Sequence, residues 1–188
     1  MPRSGFVLAG GASSRMGRDK ALLAYRERTL VEYVAREVLE AVGSVAVIGD
    51  PDRYGELGFA VYRDKVPRCG PLGGIYTALS VSATDWNVVV ACDMPGISAG
   101  ALRVLVEREA EPGRNSVMAA GPGGEPEPLC AVYHRNCLPV LARAIRDKRF
   151  KMRDLVGELR VELRPLDAAA LANVNTPDDW AGFKPDAR

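Results

Sequence analysis

The chain has 188 residues, with 25 lysines and arginines against 24 aspartates and glutamates, a formal net charge of +1, and 47% hydrophobic and 26% charged side chains. This length and mixture suit one globular domain, residues 1–188, with a core of ordinary size. The near-neutral balance gives no basic field for nucleic acid or for an anionic membrane, and no stretch reaches the ~20 apolar residues of a membrane span.

The opening stretch GFVLAGGASSRMGRDK, from Gly5 to Lys20, reads as a short buried strand (Phe6 to Leu8) that runs into Gly10 and Gly11. A small polar run follows, and then Arg15, Arg18 and Lys20. Glycines let the backbone approach a ligand closely, successive amides form an anion nest, and a following helix adds its positive end; the cations beside them make a polyphosphate the natural guest. The stretch is neither a P-loop, since Arg18 and Asp19 separate Gly17 from Lys20, nor a G-x-G-x-x-G dinucleotide turn. The apolar run from Phe6 to Ala9 is also too short for a secretion signal, so the expected location is the cytoplasm.

Beyond it, Ala21 to Tyr25 is a short apolar piece and Glu27-Arg28 a turn. Thr29 to Glu32 matches a capping box, with Val31, Val34, Ala35, Val38, Leu39 and Val42 at helical spacing and Gly43 as the stop. Val45 to Ile48 and Phe59 to Tyr62 read as strands, which makes a βαβ unit and a mostly parallel sheet. Asp64 to Gly74, DKVPRCGPLGG, reads as a loop that opens into a helix over Ile75 to Val81, on the same carboxyl edge of the sheet as the opening turn. Asn87 to Cys92 is the most hydrophobic run and ends in Asp93-Met94-Pro95. A carboxylate at the end of a buried strand packs poorly but suits a hard divalent cation accompanying a nucleoside triphosphate.

Ser98 caps an expected helix that buries Leu102, Leu105 and Val106. Ser116 to Ala120 and Leu129 to Tyr133 read as strands flanking a loop, GPGGEPEP, and Pro139 to Arg146 as a helix. Arg143, Arg146, Lys148, Arg149, Lys151 and Arg153 form a local basic cluster, read either as a solvated face or as a dock for an anionic substrate. Val161 to Leu163 is a late strand, and Asn173-Val174-Asn175-Thr176-Pro177 leads into a helix over Asp178 to Phe183. Cys69, Cys92, Cys130 and Cys137 contain no C-x-x-C pair, which speaks against zinc or a disulfide framework, and the lone His134 has no nucleophile beside it in sequence.

Taken together, LAGG-x-SSRMG-x-DK (Leu8 to Lys20), GPLGG (Gly70 to Gly74), CDMP (Cys92 to Pro95), EPLCAVY (Glu127 to Tyr133) and NVNTPDD (Asn173 to Asp179) resemble the molybdenum cofactor guanylyltransferases over nearly the whole chain. The opening motif alone specifies only the wider nucleotidyltransferase superfamily; LAGG, GPLGG and the NVNTP ending narrow the choice. The resemblance implies a Rossmann-like three-layer α/β/α nucleotidyltransferase fold with a mostly parallel sheet. It implies transfer of GMP from GTP to the terminal phosphate of molybdopterin carrying molybdenum, with release of pyrophosphate. By the same resemblance Leu8, Ala9, Gly10 and Gly11 hold the nucleotide, Arg15 and Lys20 neutralise the triphosphate, Asp64 faces the nucleotide, Asp93 binds Mg²⁺, and Asn173 and Asn175 lie on the pterin side. Proteins of molybdenum insertion and molybdoenzyme maturation are the implied protein partners. One departure stands out, because Ile48 occupies a position after the second strand where the family often has asparagine. Two rival readings stay open: cytidylyl or sugar-phosphate nucleotidyl transfer on the same fold, and a GTP-binding module without chemistry.

Overall fold

The computed structural model describes residues 1–10, 19–107 and 110–183. Its strands are β1 (Arg3–Leu8), β2 (Ala24–Tyr25), β3 (Arg28–Thr29), β4 (Ala46–Ile48), β5 (Ala60–Tyr62), β6 (Trp86–Ala91), β7 (Ser116–Ala120), β8 (Pro126–His134) and β9 (Val161–Pro165). Helices α1 (Leu30–Val42), α2 (Pro51–Tyr54), α3 (Pro71–Val81), α4 (Ala99–Val106), α5 (Leu138–Arg146) and α6 (Pro177–Gly182) lie between and after them. Seven strands form one sheet in the order β5-β4-β1-β6-β8-β7-β9, while β2 and β3 make a separate hairpin. All pairings in the large sheet are parallel except the two that β8 makes, with β6 and β7.

Strand alternation sends neighbouring side chains to opposite faces and so builds two cores. Val7, Val47, Val88 and Val90 face α1 and α4, whereas Phe6, Ile48, Val89 and Met118 face α3 and α5. The result is the expected three-layer α/β/α architecture. Helix α1 starts as its sequence directs: the Glu32 carboxylate accepts from the Thr29 amide at 2.8 Å and from its hydroxyl at 2.6 Å, and Gly43 closes the helix at φ 80°. No helix among the described residues is long and apolar enough to cross a membrane.

Three local expectations are corrected. The loop that begins at Asp64 ends at Gly70, and α3 starts at Pro71 rather than Ile75, since proline at the first helical position is pre-set for the helix and has no amide to lose. The glycines inside that first turn serve close packing: a Cβ on Gly73 would lie 2.7 Å from the Val66 carbonyl oxygen. Strand β8 begins at Pro126, inside the expected 121–128 loop, because it turns back antiparallel on β7 with a register shift between Met118 and Ala119. The turn expected at Glu27-Arg28 falls at Arg26-Glu27 instead, with Arg26 at φ 53°, and Arg28 already pairs with Tyr25 in the β2–β3 hairpin. The short helix α2, capped by the Asp50 carboxylate on the Asp52 amide at 3.2 Å, was absent from the sequence reading.

Candidate active site at the carboxyl edge of the sheet

Parallel strands that end together leave a ledge of backbone groups. Here the ladder extends one residue past the strand ends: the Ala9 amide donates to the Ile48 carbonyl at 2.8 Å, Gly49 to Tyr62 at 2.9 Å, and Cys92 to Leu8 at 3.1 Å. Above this ledge lies a cleft of about 640 Å³, lined by Leu8, Gly10, Asp19, Lys20, Asp64, Arg68, Gly70, Pro71 and Asp93 among others. Such a volume lies within the usual range for small-molecule sites. The amino end of α3 opens onto the cleft at Gly70 and Pro71, and brings the positive end of an eleven-residue helix to it.

Two sequence-selected residues meet at the centre. Lys20 Nζ stands 3.8 Å from Asp93 Oδ2, an ion pair longer than a hydrogen bond. Nζ spends its hydrogen bonds on the C-terminal segment instead, donating to Asn175 Oδ1 at 2.9 Å and to the Val174 carbonyl at 3.3 Å. That segment is tied down in turn by the Val174 amide, which donates to the Asp93 carbonyl at 2.9 Å. Asp93 Oδ1 is buried and has no hydrogen-bond partner among the described residues. Burial pushes the Asp93 carboxyl above its ordinary range, and the Lys20 ammonium opposes that shift only in part.

A buried, partnerless carboxylate oxygen facing a cleft is the arrangement a divalent cation would complete. Among the described residues no group of three or more His, Cys, Asp or Glu gathers around it. This donor set fits a hard cation that keeps water and takes further oxygens from substrate phosphates better than one held in an all-protein cage.

The other selected positions are placed as follows. Leu8 and Gly10 line the cleft, and Gly10 sits at φ 134°. Ala9 is buried beneath it with its amide committed to Ile48. Asp64 also lines the cleft, but its Oδ1 accepts from the Val66 amide at 3.0 Å and the Thr77 hydroxyl at 2.9 Å, which braces its own loop. Asn173 is exposed, and Asn175 is brought to Lys20. Gly11 and Arg15 lie outside the described residues.

Sequence reasoning gave no role to Asp19. Its Oδ1 accepts from the Ala21 amide at 3.1 Å and its Oδ2 from the Tyr54 hydroxyl at 2.8 Å. The adjacency Asp19-Lys20 was a signal for the first bond; nothing local could signal the second. Arg68, exposed on the cleft wall at φ 69°, was likewise unmarked.

The family described as the MobA-like NTP transferase domain matches residues 5–163. A probable molybdenum cofactor guanylyltransferase of Flavobacterium johnsoniae is 32% identical over 93% of this chain and 92% of its own length. Its counterpart of the same name in Bacillus subtilis is 35% identical, covering 93% and 91%. Among solved structures, molybdopterin-guanine dinucleotide biosynthesis protein A of Archaeoglobus fulgidus superposes with a TM-score of 0.78 at 26% identity, over 95% of each chain. A CMP:2-keto-3-deoxy-manno-octonic acid synthetase solved with CTP superposes at 0.76 over 97% of this chain and 96% of its own, but at 13% identity it shows the fold alone.

Proposed function

The chain belongs to the MobA-like NTP transferase family and is a nucleotidyltransferase, and from that premise we propose that it transfers GMP from GTP to the terminal phosphate of molybdopterin carrying molybdenum, releasing pyrophosphate. The observation that carries this reading is the Lys20–Asp93 pair, 3.8 Å apart at the cleft centre, with one Asp93 oxygen buried and without a partner among the described residues. A site for nucleotide binding alone has no need of such a carboxylate, whose burial costs stability unless a cation completes it.

In the reaction the acceptor phosphate oxygen attacks the α-phosphorus in line, a new P–O bond forms, and the bond to the β-bridging oxygen breaks as pyrophosphate leaves. The nucleophile is already an anion, so no general base is required. What the chain supplies is position and charge. Lys20 is assigned to the charge that builds on the departing phosphates, and Arg15 to the same work. Asp93 is the residue that would hold Mg²⁺, which when bound neutralises phosphate charge. Leu8, Ala9, Gly10, Gly11 and Asp64 are assigned to the nucleotide, and Asn173 and Asn175 to the acceptor. The Asn175–Lys20 bond joins the donor and acceptor sides through one ammonium group.

The test is a pyrophosphate-release assay with molybdenum-loaded molybdopterin, together with thermal-shift titrations of GTP, CTP and UTP in the presence of Mg²⁺. Stabilisation and turnover with GTP are expected. Stabilisation by CTP alone would overturn the guanine assignment, and nucleotide binding without pyrophosphate release would leave a binding module.

A further inference from the structure

One short segment, Ile48 to Tyr54, holds the chain on both sides of the glycine-rich stretch, at Ala9 and at Asp19. At the first the Ala9 amide donates to the Ile48 carbonyl. A Cβ on Gly49 would lie 2.5 Å from the Ala9 carbonyl oxygen and 2.7 Å from the Tyr54 ring, so only glycine lets the strand end and the ring lie this close together. At the second the Tyr54 hydroxyl donates to Asp19 Oδ2 at 2.8 Å, and Arg53 reaches the same oxygen at 3.3 Å. The other Asp19 oxygen accepts from the Ala21 amide and so caps the 3-10 turn Lys20–Leu22, the turn from which the Lys20 side chain departs.

The two contacts to Asp19 Oδ2 are unequal. Arg53 has a side chain 63% exposed, so its attraction is screened by water. Tyr54 is 1% exposed, and burial together with the bond to Asp19 keeps its phenol protonated well past the ordinary range, which makes the hydroxyl a donor throughout the neutral range. A hydrogen bond to a carboxylate, shielded from water, is of the stronger kind.

We propose that Tyr54 is a positioning residue for nucleotidyl transfer: its hydroxyl bond to Asp19 fixes the turn that aims Lys20 Nζ at Asp93 and at the triphosphate. The proposal rests on the role given to Lys20 above. It places part of the catalytic geometry 35 residues from Asp19 in sequence, on the short helix α2 between β4 and β5.

Tyr54→Phe removes the hydroxyl and keeps the ring. Because the Lys20 charge serves the departing phosphates more than the bound ground state, kcat is expected to fall about tenfold while KM for GTP moves less than about threefold. Arg53→Ala is expected to change kcat less than about threefold, as a screened contact should. Hydrogen exchange at the Ala21 and Leu23 amides, which close the turn, is expected to be faster in Tyr54→Phe than in the wild type. If Tyr54→Phe does not fold, Asp19→Asn takes its place; it keeps an oxygen for the Ala21 amide and is expected to show the same loss in kcat. An unchanged kcat, with or without a lower Tm, overturns the proposal, as does wild-type exchange at Ala21 and Leu23. A wild-type protein that does not turn over GTP removes the guanylyl reading instead, and the exchange comparison then decides alone whether Tyr54 holds the turn.

Discussion

Asp93→Ala is expected to inactivate the protein and stabilise it at the same time. In the nucleotide-free chain this carboxylate has two environments of opposite sign. Lys20 at 3.8 Å supplies a gross attraction of about 4 kcal/mol at an effective dielectric near 20. Against it stands the burial of the charge, of order several kcal/mol per ion, and a partnerless oxygen that forfeits about 1–3 kcal/mol. The direction of the Asp93 shift decides between them: burial raises the carboxyl more than Lys20 lowers it. A carboxyl raised on folding binds protons more readily in the native than in the unfolded chain, so its stability deficit grows as pH climbs from the unfolded to the folded pKa and is complete above the folded one. Alanine removes that deficit, while Lys20 keeps its bonds to Asn175 and Val174. A net gain of about 1 kcal/mol corresponds to roughly 2–4 °C in Tm for a chain of this size. Differential scanning fluorimetry without nucleotide at neutral pH measures the gain, and pyrophosphate release measures the accompanying loss of more than about a hundredfold in turnover. A Tm below wild type would refute the electrostatic argument, and near-normal turnover would refute the role of Asp93.

Lys20→Ala is expected to lose more than about a hundredfold in kcat, the usual cost of about 3 kcal/mol for one donor at a developing charge, with retained turnover counting against its role. At the opposite end of the chemistry, Glu158 accepts from both Arg143 and Arg149, and those bonds lower its carboxyl to about 2. A carboxyl lowered on folding stabilises fully above its unfolded pKa and loses that contribution as pH falls towards the folded one. Glu158→Gln should therefore abolish a part of the acid sensitivity between pH about 4.5 and about 2 in thermal melts, without altering turnover at neutral pH.

The architecture was legible where side-chain periodicity reports burial. Continuous apolar runs such as Asn87 to Cys92 have to be strands buried on both faces, and the α1 pattern with its Thr29–Glu32 cap can be little else. The misreadings fall where composition and packing disagree. Gly70 to Gly74 looks like a loop by composition, yet the glycines at 73 and 74 are there so that α3 can lie against the Val66 carbonyl and the Leu8 side chain. The direction of β8 was hidden because alternation is the same for parallel and antiparallel pairing. At the site, Asp93 was visible because a charge just past a buried strand has few structural excuses, and Lys20 because it closes a glycine-rich stretch that carries cations.

What surrounds Lys20 was invisible, since Asn175 meets its ammonium from 155 residues away in sequence and Tyr54 meets the neighbouring Asp19 from 35. The basic cluster illustrates the converse. Two of its members, Arg143 and Arg149, are spent on Glu158, so part of what reads in sequence as an anion dock is a local ion-pair network. Lys20 differs from them in the acceptors it has. Two neutral oxygens and a carboxylate beyond hydrogen-bond reach leave its charge only partly neutralised in the cleft, and an anionic ligand can exchange for those oxygens without breaking a tight ion pair.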